Sequence, residues 1–207
     1  MEALRAELSA VEGEYKVCAE RCYRRIDFPA DPKDNPLGIS TPLLNLLRAG
    51  QLAESVSSWT TSPAVAMGHL DGAQRGDICV IFTCQPRPEQ VLLNLKTILR
   101  SPRFTACSSA IESWMRSENE VILEIPFVTP DDVYAWGGFV GSLEQLRLEA
   151  ELLGSPAEAV ENLETALAER GIRPGQEHWL SQERSLATAH RMQQLARRRY
   201  MHPSQVY

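Results

Sequence analysis

The chain has 207 residues, of which 43% are hydrophobic, enough for one domain with a real core and too apolar for global disorder. A formal charge of -6 argues against wholesale non-specific nucleic-acid binding, although not against a local basic groove. No apolar run approaches the roughly 18 residues that cross a bilayer, and the amphipathic, acidic start MEALRAELSAVEGEYKV does not read as a secretory signal peptide. The expected compartment is the cytoplasm, with export by dedicated machinery left open.

In chain order, residues 3–12 suit a short helix that breaks at Gly13. The run YKVCAERCYRRI is ambiguous between helix and strand, and its end, CYRRI, suits a strand. DFPADPKDNPLGIS, dense in Pro, Asp and Gly, predicts a long surface loop. Thr41 as cap and Pro42 at the first helical position open the helix PLLNLLRAG, which stops at Gly50. SVSSWTTS reads as a short strand, after which Ser62 and Pro63 start the helix PAVAMGHL. DICVIFTC and VLLNL are buried strands, and a mixed helix and loop between Lys96 and Ser117 carries Phe104 and Trp114. ENEVILEIPF and DDVYAWGG supply two more strands.

From Ser142 the pattern becomes helical, in LEQLRLEAELLG, SPAEAVENLETALAERG and SQERSLATAHRMQQLARRRY. The last of these is basic, ending in Arg197, Arg198 and Arg199. The expected organisation is a strand-rich body over residues 1–140 and a helical C-terminal extension over 141–207. Five cysteines (Cys18, Cys22, Cys79, Cys84 and Cys107) and four histidines (His69, His178, His190 and His202) show no metal-ligand spacing. No metal is therefore expected, and the cysteines read as reduced, partly buried apolar residues. Neither GxGxxG, GxxxxGK[ST] nor G-x-S-x-G occurs.

SENEVILEIPF places two carboxylates two residues apart at the head of an apolar run. In a strand, Val121, Leu123 and Ile125 would face the core. Glu118 and Glu120 would sit on the other face, roughly 7 Å apart. Three pieces then stand in order: Tyr23-Arg24-Arg25-Ile26 ending a strand, Trp59-Thr60-Thr61-Ser62-Pro63 at a strand-to-helix junction, and Glu118-Asn119-Glu120 opening a strand. Taken singly, each has an ordinary explanation: a solvated charge, a helix cap, an exposed strand edge.

Together, over roughly residues 15–136, they resemble the mono-ADP-ribosyltransferases of the arginine–serine–glutamate class, which include bacterial toxins and phage-encoded host-modifying enzymes. The family pattern is an aromatic-Arg strand end, then Ser-Thr-Ser before a helix with a Val-Ala pair, then Glu-x-Glu running into an apolar strand. The counterparts are YRRI, WTTSPAVAMG and ENEVILEIP, with Thr60 standing where the family has its first serine. The resemblance implies an α+β fold: a split central β-sheet core with peripheral helices, binding NAD as co-substrate without a Gly-rich turn.

It also implies the roles. Arg24, which directly follows Tyr23, would bind the diphosphate, with Arg25 its competitor. Thr60, Thr61 and Ser62 belong to the NAD site, Thr60 and Ser62 orienting the ribose and Glu120. Trp114, with Phe104 behind it, would stack on nicotinamide or meet the acceptor. Glu120 would stabilise the positive charge that builds on the ribose as nicotinamide leaves, and Glu118 would activate the acceptor.

In the family a first Glu accompanies modification of arginine, so a protein acceptor is expected ahead of nucleic acid, in a toxin or effector context. Two alternatives stay open. One is transfer to RNA or DNA, which the basic end of the chain favours. The other is a non-catalytic module that meets a partner or inhibitor through its helical C-terminal region.

Overall fold

The computed structural model describes residues 11–29, 40–68, 78–102, 117–152 and 154–201, with backbone only at 149 and 199–201. Seven strands form a single antiparallel sheet: β1 (Cys22–Phe28), β2 (Val56–Thr60), β3 (Ile78–Cys84), β4 (Val91–Asn94), β5 (Glu120–Glu124), β6 (Val133–Phe139) and β7 (Glu177–Trp179). The described helices are α1 (Thr41–Ala49), α2 (Pro63–Gly68), α3 (Leu95–Arg100), α4 (Leu143–Leu152), α5 (Ala157–Glu161), α6 (Leu163–Glu169) and α7 (Gln182–Met201). The fold is α+β. The expected helix over residues 3–12 and most of the turn-rich loop lie outside the described residues.

Spatial order in the sheet is β4-β5-β2-β1-β3-β6-β7. Its two halves join weakly. β1 pairs with β3 along its whole length, from Cys22↔Cys84 to Phe28↔Ile78, whereas β1 meets β2 through the one pair Tyr23↔Thr60. Past Tyr23 the two strands part, and the sheet opens between them.

Alternation decides what each face does. Val121, Leu123 and Ile125 are buried as their spacing predicts, in one core with Trp59, Phe28, Val80, Phe82, Leu43 and Leu47. On the opposite face a smaller apolar group gathers Ala66 of α2 with Ile81, Ala135 and Tyr23. α1 ends as its sequence directs: Gly50 adopts φ +71°, and its N–H caps the Leu46 carbonyl at 2.6 Å.

The C-terminal region packs onto the sheet. Glu177–Trp179, between two stretches read as helical, pairs with β6 at Gly137↔Trp179 and Phe139↔Glu177. Ala189 of α7 is fully buried in the main core, and Ser185 Oγ accepts a hydrogen bond from the Trp136 N–H at 2.9 Å. Residues beyond 140 thus share the main core with the strand-rich body. The single helix expected over SPAEAVENLETALAERG is two, α5 and α6, parted at Asn162.

Gly137 makes the β6–β7 pairing possible. A Cβ there would lie 2.4 Å from the His178 carbonyl oxygen and 2.7 Å from the Trp179 ring. Gly137→Ala should cost about 1–3 kcal/mol through displacement of β7, read as a lowered midpoint in urea unfolding.

The described cysteines are free thiols, with Cys18 Sγ and Cys22 Sγ 3.6 Å apart. Burial pushes the Cys79 and Cys84 thiols up to about 12, so they stay protonated and unreactive near neutral pH.

Candidate active site

The opening between β1 and β2 is a cleft of about 290 Å³, near the lower end of the range for ligand sites. Arg24 comes to it from β1, Thr60 from β2, and Glu118 and Glu120 from the head of β5. These four residues are up to about a hundred positions apart in the chain. They meet because β2 lies between β1 and β5 in the sheet, in register Tyr23↔Thr60 and Thr60↔Glu120. That row puts Thr60 and Glu120 on one face, with neighbouring strands about 4.8 Å apart. Val65 and Ala66 of α2 complete the wall.

Glu118 reaches the cleft by a route the sequence does not suggest. β5 begins at Glu120, and Asn119 sits at φ +50°, a left-handed conformation that Asn tolerates better than most residues. The two carboxylates thus converge across a turn and not by alternation along a strand. The turn is pinned from β2. Thr60 Oγ1 donates to the Glu118 carbonyl, and the Thr61 N–H donates to the Asn119 carbonyl oxygen at 3.1 Å. Asn119 Nδ2 closes it by donating to the Ser117 carbonyl at 2.9 Å.

The hydroxyl trio divides. Thr60 lines the cleft and shapes the Glu-x-Glu turn through the backbone. Thr61 Oγ1 accepts from Lys96 Nζ at 3.3 Å, and Lys96 is itself paired with Glu20. Ser62 Oγ accepts from the Val65 N–H at 3.3 Å and so caps the first turn of α2. Only Thr60 of the three lines the cleft. Trp114, Phe104 and His69 lie outside the described residues.

Adjacent arginines take opposite paths, since neighbours on a strand point to opposite faces. Arg25 lies on the face that Tyr23 shares with Thr60 and Glu120 and also lines the cleft, its side chain only 5% exposed. It donates to Asp27 Oδ1 and Glu177 Oε1, each at 2.6 Å, and to the Met67 carbonyl at 3.3 Å, and it lies 5.4 Å from the centre of the Trp179 ring. Its guanidinium binds β1, α2 and β7 together, and those partners hold its pKa up against the opposing effect of burial. Arg24 points into the gap between β1 and β2 and pairs with Glu54 at 3.0 Å. Burial pulls its pKa down, with Glu54 opposing.

The cleft is thus acidic in balance. Glu54, Glu118 and Glu120 face it, against Arg24 and an Arg25 committed to Asp27 and Glu177. Such a site attracts cations and holds one guanidinium suited to an anionic group. Among the described residues, no group of three His, Cys, Asp or Glu side chains is placed to hold a metal ion. No described helix is long and apolar enough to cross a membrane.

Comparison with known protein families, with curated proteins and with solved structures finds no match to this chain. The functional reading rests on the site itself.

Proposed function

We propose that the chain is an NAD-dependent mono-ADP-ribosyltransferase, with the opening between β1 and β2 as its active site and the seven-stranded sheet as a split transferase-like core. One observation carries the reading: Arg24, Thr60, Glu118 and Glu120, drawn from three distant segments, line one cleft where the sheet parts. Chains chosen for loose motif similarity alone have no physical reason to bring those four together.

The chemistry follows from the charges. Nicotinamide is a cationic leaving group, so its departure needs little acid help. The barrier lies in positive charge building on the ribose, as in glycoside hydrolysis. Glu120, fixed at the head of β5, attracts that charge more strongly as it develops, which lowers the barrier and does more than bind the ground state. Arg24 grips the diphosphate with a planar guanidinium. Glu118, on its own turn beside Glu120, takes the proton of the incoming nucleophile.

A cationic acceptor suits this cleft better than a polyanion, because the site presents three carboxylates. That favours an arginine side chain of a protein over RNA or DNA, in keeping with a toxin or effector. Arg191, Arg197 and Arg198 of α7 are exposed and line no part of the cleft, so they add nothing to the nucleic-acid reading.

The test separates the two carboxylates. With labelled NAD and a protein fraction as acceptor, the wild type should both release nicotinamide and label protein. Glu118→Gln should abolish labelling while sparing part of the nicotinamide release. Loss of both to the same extent would remove the division of labour proposed for this pair.

A further inference from the structure

Arg24 already has an anion on it. Its Nη2 donates to Glu54 Oε2 at 3.0 Å, and its Nη1 donates to the Glu54 backbone carbonyl at 3.3 Å. The two partners are unequal. The Arg24 side chain is 17% exposed and anchored in β1, whereas that of Glu54 is 70% exposed, on the link between α1 and β2. The arginine is held in place; the carboxylate is free to swing into solvent.

We propose that Glu54 gates the cleft. Its carboxylate satisfies Arg24 in the empty site and is exchanged for the diphosphate of the dinucleotide on binding. This rests on the NAD reading above for the identity of the ligand, but not for the exchange itself.

The argument is one of charge balance. A half-buried guanidinium left without an anion is costly, and Glu54 removes that cost when no ligand is present. Carboxylate and phosphate both fit the guanidinium fork, so one replaces the other without moving Arg24. The backbone carbonyl of Glu54 stays as a second acceptor that fixes the fork when the side chain departs. Because the carboxylate occupies Arg24 and must be displaced from it, it raises the ligand concentration needed to occupy the site. Glu54 therefore sets NAD affinity without touching the reacting ribose.

Calorimetric titration of the full chain with inorganic pyrophosphate, and separately with NAD, tests this. Exposed ion pairs are weak, so Glu54→Gln should bind both about threefold to fivefold more tightly than the wild type, and the KM for NAD should fall by a similar factor. In an Arg24→Gln background the same substitution should change nothing, an outcome that a merely structural Glu54 would not produce. Unchanged or weaker pyrophosphate binding by Glu54→Gln overturns the gate, as does tightening that persists without Arg24. If pyrophosphate behaves as expected while NAD neither binds nor reacts, the gate stands and the NAD reading falls. If NAD is bound and consumed but Glu54→Gln binds no tighter, the reverse holds.

Discussion

Glu120→Gln is expected to lower the rate of nicotinamide release from NAD by about a hundredfold to a thousandfold, the usual cost of removing one fixed stabiliser of transition-state charge. The substitution keeps size and hydrogen-bonding capacity and removes only the charge. Glu120 is half-buried at the head of β5, and among the described residues its carboxylate has no hydrogen-bond or ion-pair partner. Stability should accordingly stay within about 0.5 kcal/mol of the wild type. The loss should fall on the maximal rate, with binding of NAD little changed, because the charge it stabilises exists only as the bond breaks. A variant that bound NAD poorly yet turned over what it bound at the wild-type rate would move Glu120 from chemistry to binding.

The arginine pair gives the second large effect, and it splits into two measurements. Arg25→Gln should destabilise the fold by about 3–5 kcal/mol, since it leaves Asp27 and Glu177 as uncompensated, largely buried carboxylates and frees β7 from β1. Urea unfolding monitored by tryptophan fluorescence reads this directly, because Trp179 lies against the guanidinium. Arg24→Gln should leave the unfolding midpoint nearly unchanged, since its partner Glu54 is exposed and needs no counter-charge. It should weaken NAD binding about tenfold to a hundredfold, the range for hydrogen bonds to a charged group. Equal effects of the two substitutions on both readouts would erase the distinction between the structural and the ligand-facing arginine.

The parts legible in the sequence are those governed by short-range pattern. Alternation in Val121, Leu123 and Ile125 fixes which face of β5 is buried, and Pro42 and Gly50 mark the ends of α1. The cap position of α1 is Ser40, without a side-chain cap bond, and Thr41 is already helical. What escaped the sequence depends on partners far along the chain. Glu177–Trp179 is a three-residue strand between helical patterns, too short to show a period, and it exists because Gly137 admits Trp179 and Arg25 anchors Glu177. The left-handed turn at Asn119 is equally hidden. Locally, Glu-Asn-Glu reads as the start of a strand, and Thr60 and Thr61, at the end of β2, help to hold it otherwise.

The choice between Arg24 and Arg25 shows the same division. Alternation guarantees that they point apart, but both line the cleft, and nothing near them says which one is committed to structural partners. Asp27 and Glu177 decide it by engaging the Arg25 guanidinium, which leaves Arg24 with the exposed Glu54. Ser62 illustrates a residue whose plain role, capping α2, is the one the structure displays. Glu54 gave no signal at all in the sequence, because a lone acid on a link between elements has no pattern to belong to.

The most direct measurement is chromatography of NAD incubated with the purified full chain, following free nicotinamide over time. The account predicts release in molar excess over the protein, abolished by Glu120→Gln in a variant that unfolds at the wild-type urea midpoint. NAD that stays intact, with no heat of binding at millimolar dinucleotide, would mean that the opening between β1 and β2 serves something other than ADP-ribosyl chemistry.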